Sequence, residues 1–338
     1  MRRREFLRTA AAGAAGIVLA APGAGRGAAS APMAAPARCV FSIQGEKTLL
    51  AGRPLLMTGL RCSNALLSDA TTQDLVDHLP VYADYGCNTV SVYFMGSRFG
   101  DVKGYREDGS LDPACAARMG RIIEAAAPRG MVVLVGCLYW STSKARWDGW
   151  TQKEADAAVA NTVRWLKDRA YRNVFVDVDN EGMAHKAKAF DTASMVRAGK
   201  AADPACVIAT NCREDATAEA DLAIHHSPPV AGKPYAETEG SPPATPGGYW
   251  GSYSKKDGLY NYINIGVYTE AMKRSQIAAT EAHLARGRGY LLASTWLQCP
   301  PPHGPNCRPG GLGGPDDPGI RWWLEYLKAK VGPYRPAV

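Results

Sequence analysis

From residue 40 onward, short apolar runs alternate with stretches of helical spacing. A short apolar run bounded by turn residues predicts a buried strand, and apolar positions recurring every three to four residues predict a helix. Val40–Ile43 and Thr48–Leu50 predict a small hairpin around Gln44-Gly45. Strands are then predicted at Leu55–Leu60, Asn88–Phe94, Met131–Leu138, Val174–Asp179, Cys206–Thr210, Leu222–His225, Pro234–Thr238 and Gly289–Trp296. Helices are predicted at Thr71–Tyr85 with Thr71 or Thr72 as N-cap, at Asp112–Ala127, Thr151–Arg169, 184–202, Ile265–Arg286 and Gly319–Lys330. Eight strands interleaved with helices predict an α/β fold, a (β/α)8 TIM barrel with an N-terminal β-hairpin. The competing architecture, a doubly wound open sheet, would carry a Gly-rich turn after its first strand, and none is present. Only a few Pro/Gly-rich residues separate the sixth and seventh strands, so the sixth helix is expected to be reduced or missing.

The residues before the hairpin follow a different pattern. Arg3-Arg4-Glu5-Phe6-Leu7-Arg8 precedes an apolar, Ala-rich run from Ala10 to Ala21, and Ala29-Ser30-Ala31 offers a cleavage site. A basic head, an apolar middle and a small-residue end predict a twin-arginine export signal over residues 1–31 and a secreted or periplasmic protein. A disordered tether over 32–37 and a single catalytic domain over 38–338 complete the expected organisation. Five arginines against one glutamate fall within 1–31, which leaves about +3 of the chain's net +7 for the rest. That mild balance, with no basic run, excludes a nucleic-acid binder, and no other segment is long and apolar enough to span a bilayer. A monomer is expected.

All nine cysteines follow the signal. Cys206/Cys212 and Cys299/Cys307 are close enough in sequence to bridge loops, and Cys87 and Cys137 read as small buried hydrophobes. None shows CxxC spacing, so neither a metal nor a cofactor is expected.

The candidate chemistry lies at two strand ends. Val174–Asp179 is an apolar strand that stops in Asn180-Glu181-Gly182, and Thr238-Glu239-Gly240 closes the seventh strand. An ionisable carboxylate at the tip of a buried strand is costly without a partner or a role. Barrels of this kind place their chemistry at the C-terminal strand ends, where the fourth and seventh strands face one another. Two such carboxylates are the minimum equipment for cleaving a glycosidic bond. Glu237 shares the parity of Glu239, and Asp177 and Asp179 share that of Glu181. His225 and His226 form a pair at the sixth strand's end. Tyr139, Trp140, Trp147 and Trp150 follow the third strand, and Tyr249, Trp250, Tyr253, Tyr260 and Tyr262 follow the seventh. Flat rings in barrel loops suit a carbohydrate cleft.

On these residues the chain resembles the cellulase-like family 5 glycoside hydrolases and their clan of retaining enzymes. Asn180-Glu181 is similar to that family's fourth-strand Asn-Glu, and Lys233-Pro234…Thr238-Glu239-Gly240 to its nucleophile strand. His225 falls at its sixth-strand His and Trp296 at its eighth-strand aromatic. The resemblance implies an O-glycosyl hydrolase acting on an oligo- or polysaccharide with β linkages by double displacement. Glu239 would be the nucleophile and Glu181 the acid/base, with a raised pKa. Asn180, His225, Trp296, Trp140, Tyr249 and Trp250 would bind substrate, with Trp296 as the stacking floor. The family's second-strand Arg has no counterpart in Val90–Tyr93, and Arg61 at the end of the first strand is the candidate to replace it. Ser227 stands where a Tyr is usual, and Gly182 where a Pro is usual. The alternatives are a non-catalytic carbohydrate-binding barrel and a metal-dependent hydrolase using His225, His226 and Asp179.

Overall fold

The computed structural model of the chain describes residues 39–97, 99–140, 144–213, 218–240, 253–254, 259–260, 266–301 and 308–336. The predicted export signal and tether, Tyr249, Trp250, Tyr262 and Cys307 lie outside the described residues.

Eight parallel strands close into a barrel. In chain order they are β4 (Thr58–Arg61), β5 (Thr89–Tyr93), β6 (Val132–Leu138), β7 (Val174–Asp179), β8 (Ile208–Thr210), β9 (Leu222–Ile224), β10 (Tyr235–Gly240) and β13 (Gly289–Ala293). β13 sits between β4 and β10, and β9 pairs with β10 to complete the ring. A strand covered by helices outside and by side chains inside has no wet face, which is why β6 reads Val-Val-Leu-Val-Gly-Cys-Leu and is buried at every position. Before the barrel, β1 (Phe41–Gln44), β2 (Lys47–Leu50) and β3 (Arg53–Pro54) form an antiparallel sheet, the predicted hairpin plus one short strand. That sheet is tied to the start of β7, because Phe41 N–H donates to the Arg172 carbonyl (2.8 Å) and the Phe41 and Phe175 rings stack at 5.2 Å. The short strands β11 (Tyr253–Ser254) and β12 (Leu259–Tyr260) pair after β10.

The helices are α1 (Asp69–Asp84), α2 (Pro113–Ala126), α3 (Gln152–Asp168), α4 (Met183–Lys188), α5 (Thr192–Ala202), α6 (Glu270–Leu284) and α7 (Arg321–Val331). Their starts follow local chemistry. Asp112 caps α2 ahead of Pro113, and Thr151 with Glu154 forms a reciprocal capping box on α3. On α1 the cap is Ser68 rather than Thr71 or Thr72. Thr71 instead returns a bond to the Ser68 N–H (3.0 Å). The single helix expected over 184–202 is two, because Ala189 turns left-handed (φ 57°) and Asp191 starts a new helix by accepting the Ala193 N–H. No helix intervenes between β9 and β10, as the short Pro/Gly-rich connection predicts. The described residues between β8 and β9 carry none either. Cys206 is a free thiol, so the expected Cys206–Cys212 bridge is not formed. No helix among the described residues is long and apolar enough to cross a membrane.

Candidate active site

Glu181 and Glu239 meet at the C-terminal mouth of the barrel, close enough for their carboxyls to hydrogen-bond. Each arrives by a different local device. Glu239 is the penultimate residue of β10, only 8% exposed. Glu181 lies just past β7 with φ 54°, and Gly182 follows at φ 61°. These two left-handed residues turn the chain sharply out of the strand and aim the Glu181 side chain across the mouth. Gly182 is required twice over. Proline cannot adopt a positive φ, and a Cβ here would meet Cys212 Sγ at 2.6 Å. Asp179 pins the same turn, accepting the N–H groups of Ala184 and His185 at 2.9 Å each. Burial still pushes its pKa up to about 7 against those bonds.

Arg61 is the cation of the site. It ends β4, is fully buried, and reaches Glu239 Oε2 at 3.1 Å and Asn180 Oδ1 at 2.7 Å. Tyr93 and Tyr139 face its guanidinium with ring centroids 4.9 and 5.5 Å away. Burial alone would favour loss of its proton, but Glu239, Tyr93, Tyr139 and Glu181 together outweigh this and hold the guanidinium charged. From Arg61 a chain of polar contacts runs on through Asn180. Asn211 Nδ2 donates to Asn180 Oδ1 (3.2 Å) and Asp177 Oδ2 (3.1 Å), and Tyr93 OH donates to the same Asp177 oxygen (2.7 Å). A buried charge needs a counter-charge and hydrogen bonds, and residues on or just past β4, β5, β7, β8 and β10 supply them here.

The histidines complete the opposite side. His225 Nδ1 lies 2.6 Å from Glu237 Oε1 and its Nε2 3.8 Å from Glu239 Oε2. His226 Nε2 lies 3.6 Å from Glu181 Oε2. Glu237, the competitor on the same strand, is thus engaged with His225 and also accepts the Glu239 N–H (2.8 Å).

Two carboxyls in contact share one proton, because like charges at that range cannot both ionise. Burial pushes Glu239 up to about 8, with Glu181 adding to the rise and Arg61 and His225 opposing it. Burial also acts to raise Glu181, but His225, the hydrogen bond from Glu239, Arg61 and His226 outweigh it and hold Glu181 below its ordinary value. The sequence expectation placed the raised pKa on Glu181. Here burial raises Glu239, while its cationic neighbours and the hydrogen bond hold Glu181 down.

Several expected binding residues are elsewhere. Trp296 is 3% exposed, donates its indole N–H to Asp74 (2.9 Å), and packs on His78 and Tyr82 of α1. It borders a crevice of about 440 Å³ beside α1 and is no stacking floor. Its place explains this, because Trp296 lies beyond the end of β13 in a turn. Trp140 likewise packs edge-on to Phe190 and against Trp150 in a buried aromatic cluster, while its neighbour Tyr139 faces Arg61. Asp179 does not join the histidines. Glu181 does, and the donor atoms of Glu181, His225 and His226 lie within 4.8 Å of one another. Ser227 bonds Cys212 N–H (2.9 Å) and ties the ends of β8 and β9 together. Sequence reasoning missed Asn211 and the role of Tyr93. Asn211 follows the fifth strand as Asn180 follows the fourth, which was the available signal.

Neither a protein-family model nor a curated protein sequence matches this chain. Solved structures do resemble it. A glycoside hydrolase family 5 structure from Bacteroides vulgatus superposes with a TM-score of 0.57 at 14% identity, covering 87% of this chain and 71% of the other. The fold is that of the family 5 glycoside hydrolases. A family 5 mannosidase from Rhizomucor miehei in complex with mannosyl-fructose gives 0.53 at 11% identity, with 87% and 98% covered. An exo-β-1,4-mannosidase from Opitutaceae bacterium strain TAV5 gives 0.51 at 13% identity, with 83% of this chain and 60% of that one covered. Within a family 5-like barrel, a buried arginine beside Glu239 rises here from the first strand.

Proposed function

We propose that this protein is an exported retaining glycoside hydrolase acting on a β-linked glycan. The observation that carries the proposal is the pairing of Glu181 and Glu239 at the barrel mouth, each close enough to shift the other's charge, with Arg61 buried against the second. Retaining enzymes set their carboxyls about 5–5.5 Å apart and inverting ones farther, so a closely coupled pair favours retention. Glu239 is the nucleophile. It is the deeper group, and Arg61 stabilises its charge as it ionises. Glu181 is the acid/base, since its side chain is 22% exposed against 10% for Glu239 and must reach both leaving group and water. For transfer to the leaving oxygen the pair's proton must sit on Glu181, which leaves Glu239 ionised against Arg61. Asn180 Nδ2 is buried with no protein partner among the described residues, which leaves it to bond a sugar hydroxyl. The mannosidases among the structural neighbours make β-mannosides the first substrates to try. Arg61 in place of the second-strand arginine argues against a barrel that only binds.

The test is hydrolysis of a panel of polysaccharides and aryl β-glycosides. Wild type should turn over at least one with retained anomeric configuration by proton NMR. Glu181→Gln and Glu239→Gln should each lose about a thousand-fold in rate while keeping the melting transition. An inverted product, or full activity in either variant, would sink the reading. The export half of the proposal rests on Arg3-Arg4 and the apolar run after them. An Arg3→Lys/Arg4→Lys double variant should accumulate in the cytoplasm.

A further inference from the structure

His225 and His226 are consecutive, yet both rings reach the same opening. Successive residues of a strand point to opposite faces. His225 breaks that alternation with a left-handed φ of 43°, and the two rings meet edge to face at 4.3 Å. Glu181 is turned toward them by its own left-handed backbone. A non-glycine residue rarely holds such a conformation unless its surroundings enforce it, and here two of them converge three side chains.

The convergence has the spacing of a coordination site. Ligand atoms of Glu181, His225 and His226 all lie within 4.8 Å of one another. The 3.6 Å between His226 Nε2 and Glu181 Oε2 is too long for a hydrogen bond. It is close to the edge of a tetrahedron, roughly 3.3 Å, around an ion with bonds of about 2 Å. Behind His225, Glu237 Oε1 accepts from Nδ1 at 2.6 Å. A carboxylate in that place keeps a proton on Nδ1, so an ion that displaces the Nε2 proton finds that lone pair facing the opening, the arrangement found behind metal-bound histidines. The three side chains are 17%, 23% and 22% exposed for His225, His226 and Glu181, so an ion can enter.

We infer that Glu181, His225 and His226 bind a divalent transition-metal ion of the Zn2+ class. Two imidazoles and one carboxylate suit such an ion and not Ca2+ or Mg2+, which take oxygen ligands. Cations restrain the site, Lys186 among them through the Glu181 carbonyl at 3.2 Å. Arg61 lies against Glu239. Arg213 Nη2 lies 3.2 Å from His226 Nδ1. A guanidinium only donates, so this contact holds the proton of His226 on Nε2. Binding therefore requires the exposed Arg213 contact to open and His226 to change tautomer. An ion on Glu181 removes its carboxylate from proton transfer and fills the space between the glutamates, so it would act as a reversible block of the opening. The site itself does not depend on the glycosidase reading.

The experiment is titration of the metal-free full chain with Co2+, followed by its visible d–d absorption and in the absence of glycan. One ion per chain is expected, removable by EDTA. Glu181→Gln and His226→Ala should each weaken binding at least about ten-fold, as should Glu237→Gln through His225. Arg213→Gln should tighten it. Circular dichroism of each variant confirms the fold. Absence of a stoichiometric Co2+ site overturns the inference. So does binding that Glu181→Gln and His226→Ala both leave unchanged, which would place the ion on thiols. Co2+ binding by a protein that cleaves no glycan would reject the glycosidase reading and leave this site standing; cleavage without Co2+ binding would do the reverse.

Discussion

At position 61 a single guanidinium satisfies Glu239, Asn180 and two tyrosine faces inside the barrel. Arg61→Met keeps much of the volume and removes the charge. We expect it to destabilise the protein by about 3 kcal/mol, since breaking a buried pair strands the remaining partner. It should also lower kcat/KM by at least about a hundred-fold. Urea denaturation and initial rates check the two halves separately, and an active Arg61→Met would remove Arg61 from the reaction. The two glutamates were legible because carboxylates at the tips of apolar runs stand out. Arg61 was visible as a charge at a strand end, but its partner 178 positions away could not be read from spacing. The aromatics show a different limit. Residue type suggested Trp140 and Trp296, yet both lie past their strand ends and pack into buried clusters, while Tyr139 faces Arg61. The left-handed backbone at Glu181 and His225 was invisible, because neither residue type announces a positive φ.

At the scale of elements, the turn after β7 is the most sensitive piece. Gly182→Ala would force an alanine into φ 61° and its Cβ against Cys212 Sγ. The conformational part alone costs about 1–2 kcal/mol. Displacing Glu181 should cost about a hundred-fold in kcat, because small misplacements of a reacting group are expensive in rate. A loss of rate far exceeding the loss in melting temperature is the signature. By contrast, Thr151→Ala strips the capping box of α3, away from the mouth. It should lower stability by about 1 kcal/mol in urea denaturation and leave kcat/KM unchanged. Most strands and helices were legible because their apolar periods are long and their caps are standard chemistry. The break inside 184–202 was not, since Ala189 is a good helix former and the break comes from Asp191 starting a competing helix.

For the molecule as a whole, acid should reveal the ion pair beside the N-terminal sheet. Arg172 Nη1 bonds Asp203 at 2.7 Å, and Phe41 of that sheet donates to the Arg172 carbonyl. Burial acts to raise Asp203, but Arg172 and the Ala205 N–H outweigh it and hold the carboxyl below its ordinary value. A depressed native pKa gives stability that is present above the unfolded value of about 3.9 and fades as the pH falls through the native one. The stability gap between wild type and Asp203→Asn should therefore shrink between about pH 5 and about pH 3 in chemical denaturation. A gap independent of pH would assign the effect to packing alone.

The order of strands in the wall has one more consequence. Arg61 stands on the first barrel strand and Glu239 on the seventh, and β13, the last to be made, is the stave between them. A nascent chain cannot be competent until that stave is driven home. Two fragments divided between α5 and β8 should each be inert and should recover activity only on reunion, which makes the molecule a ready reporter of its own completion.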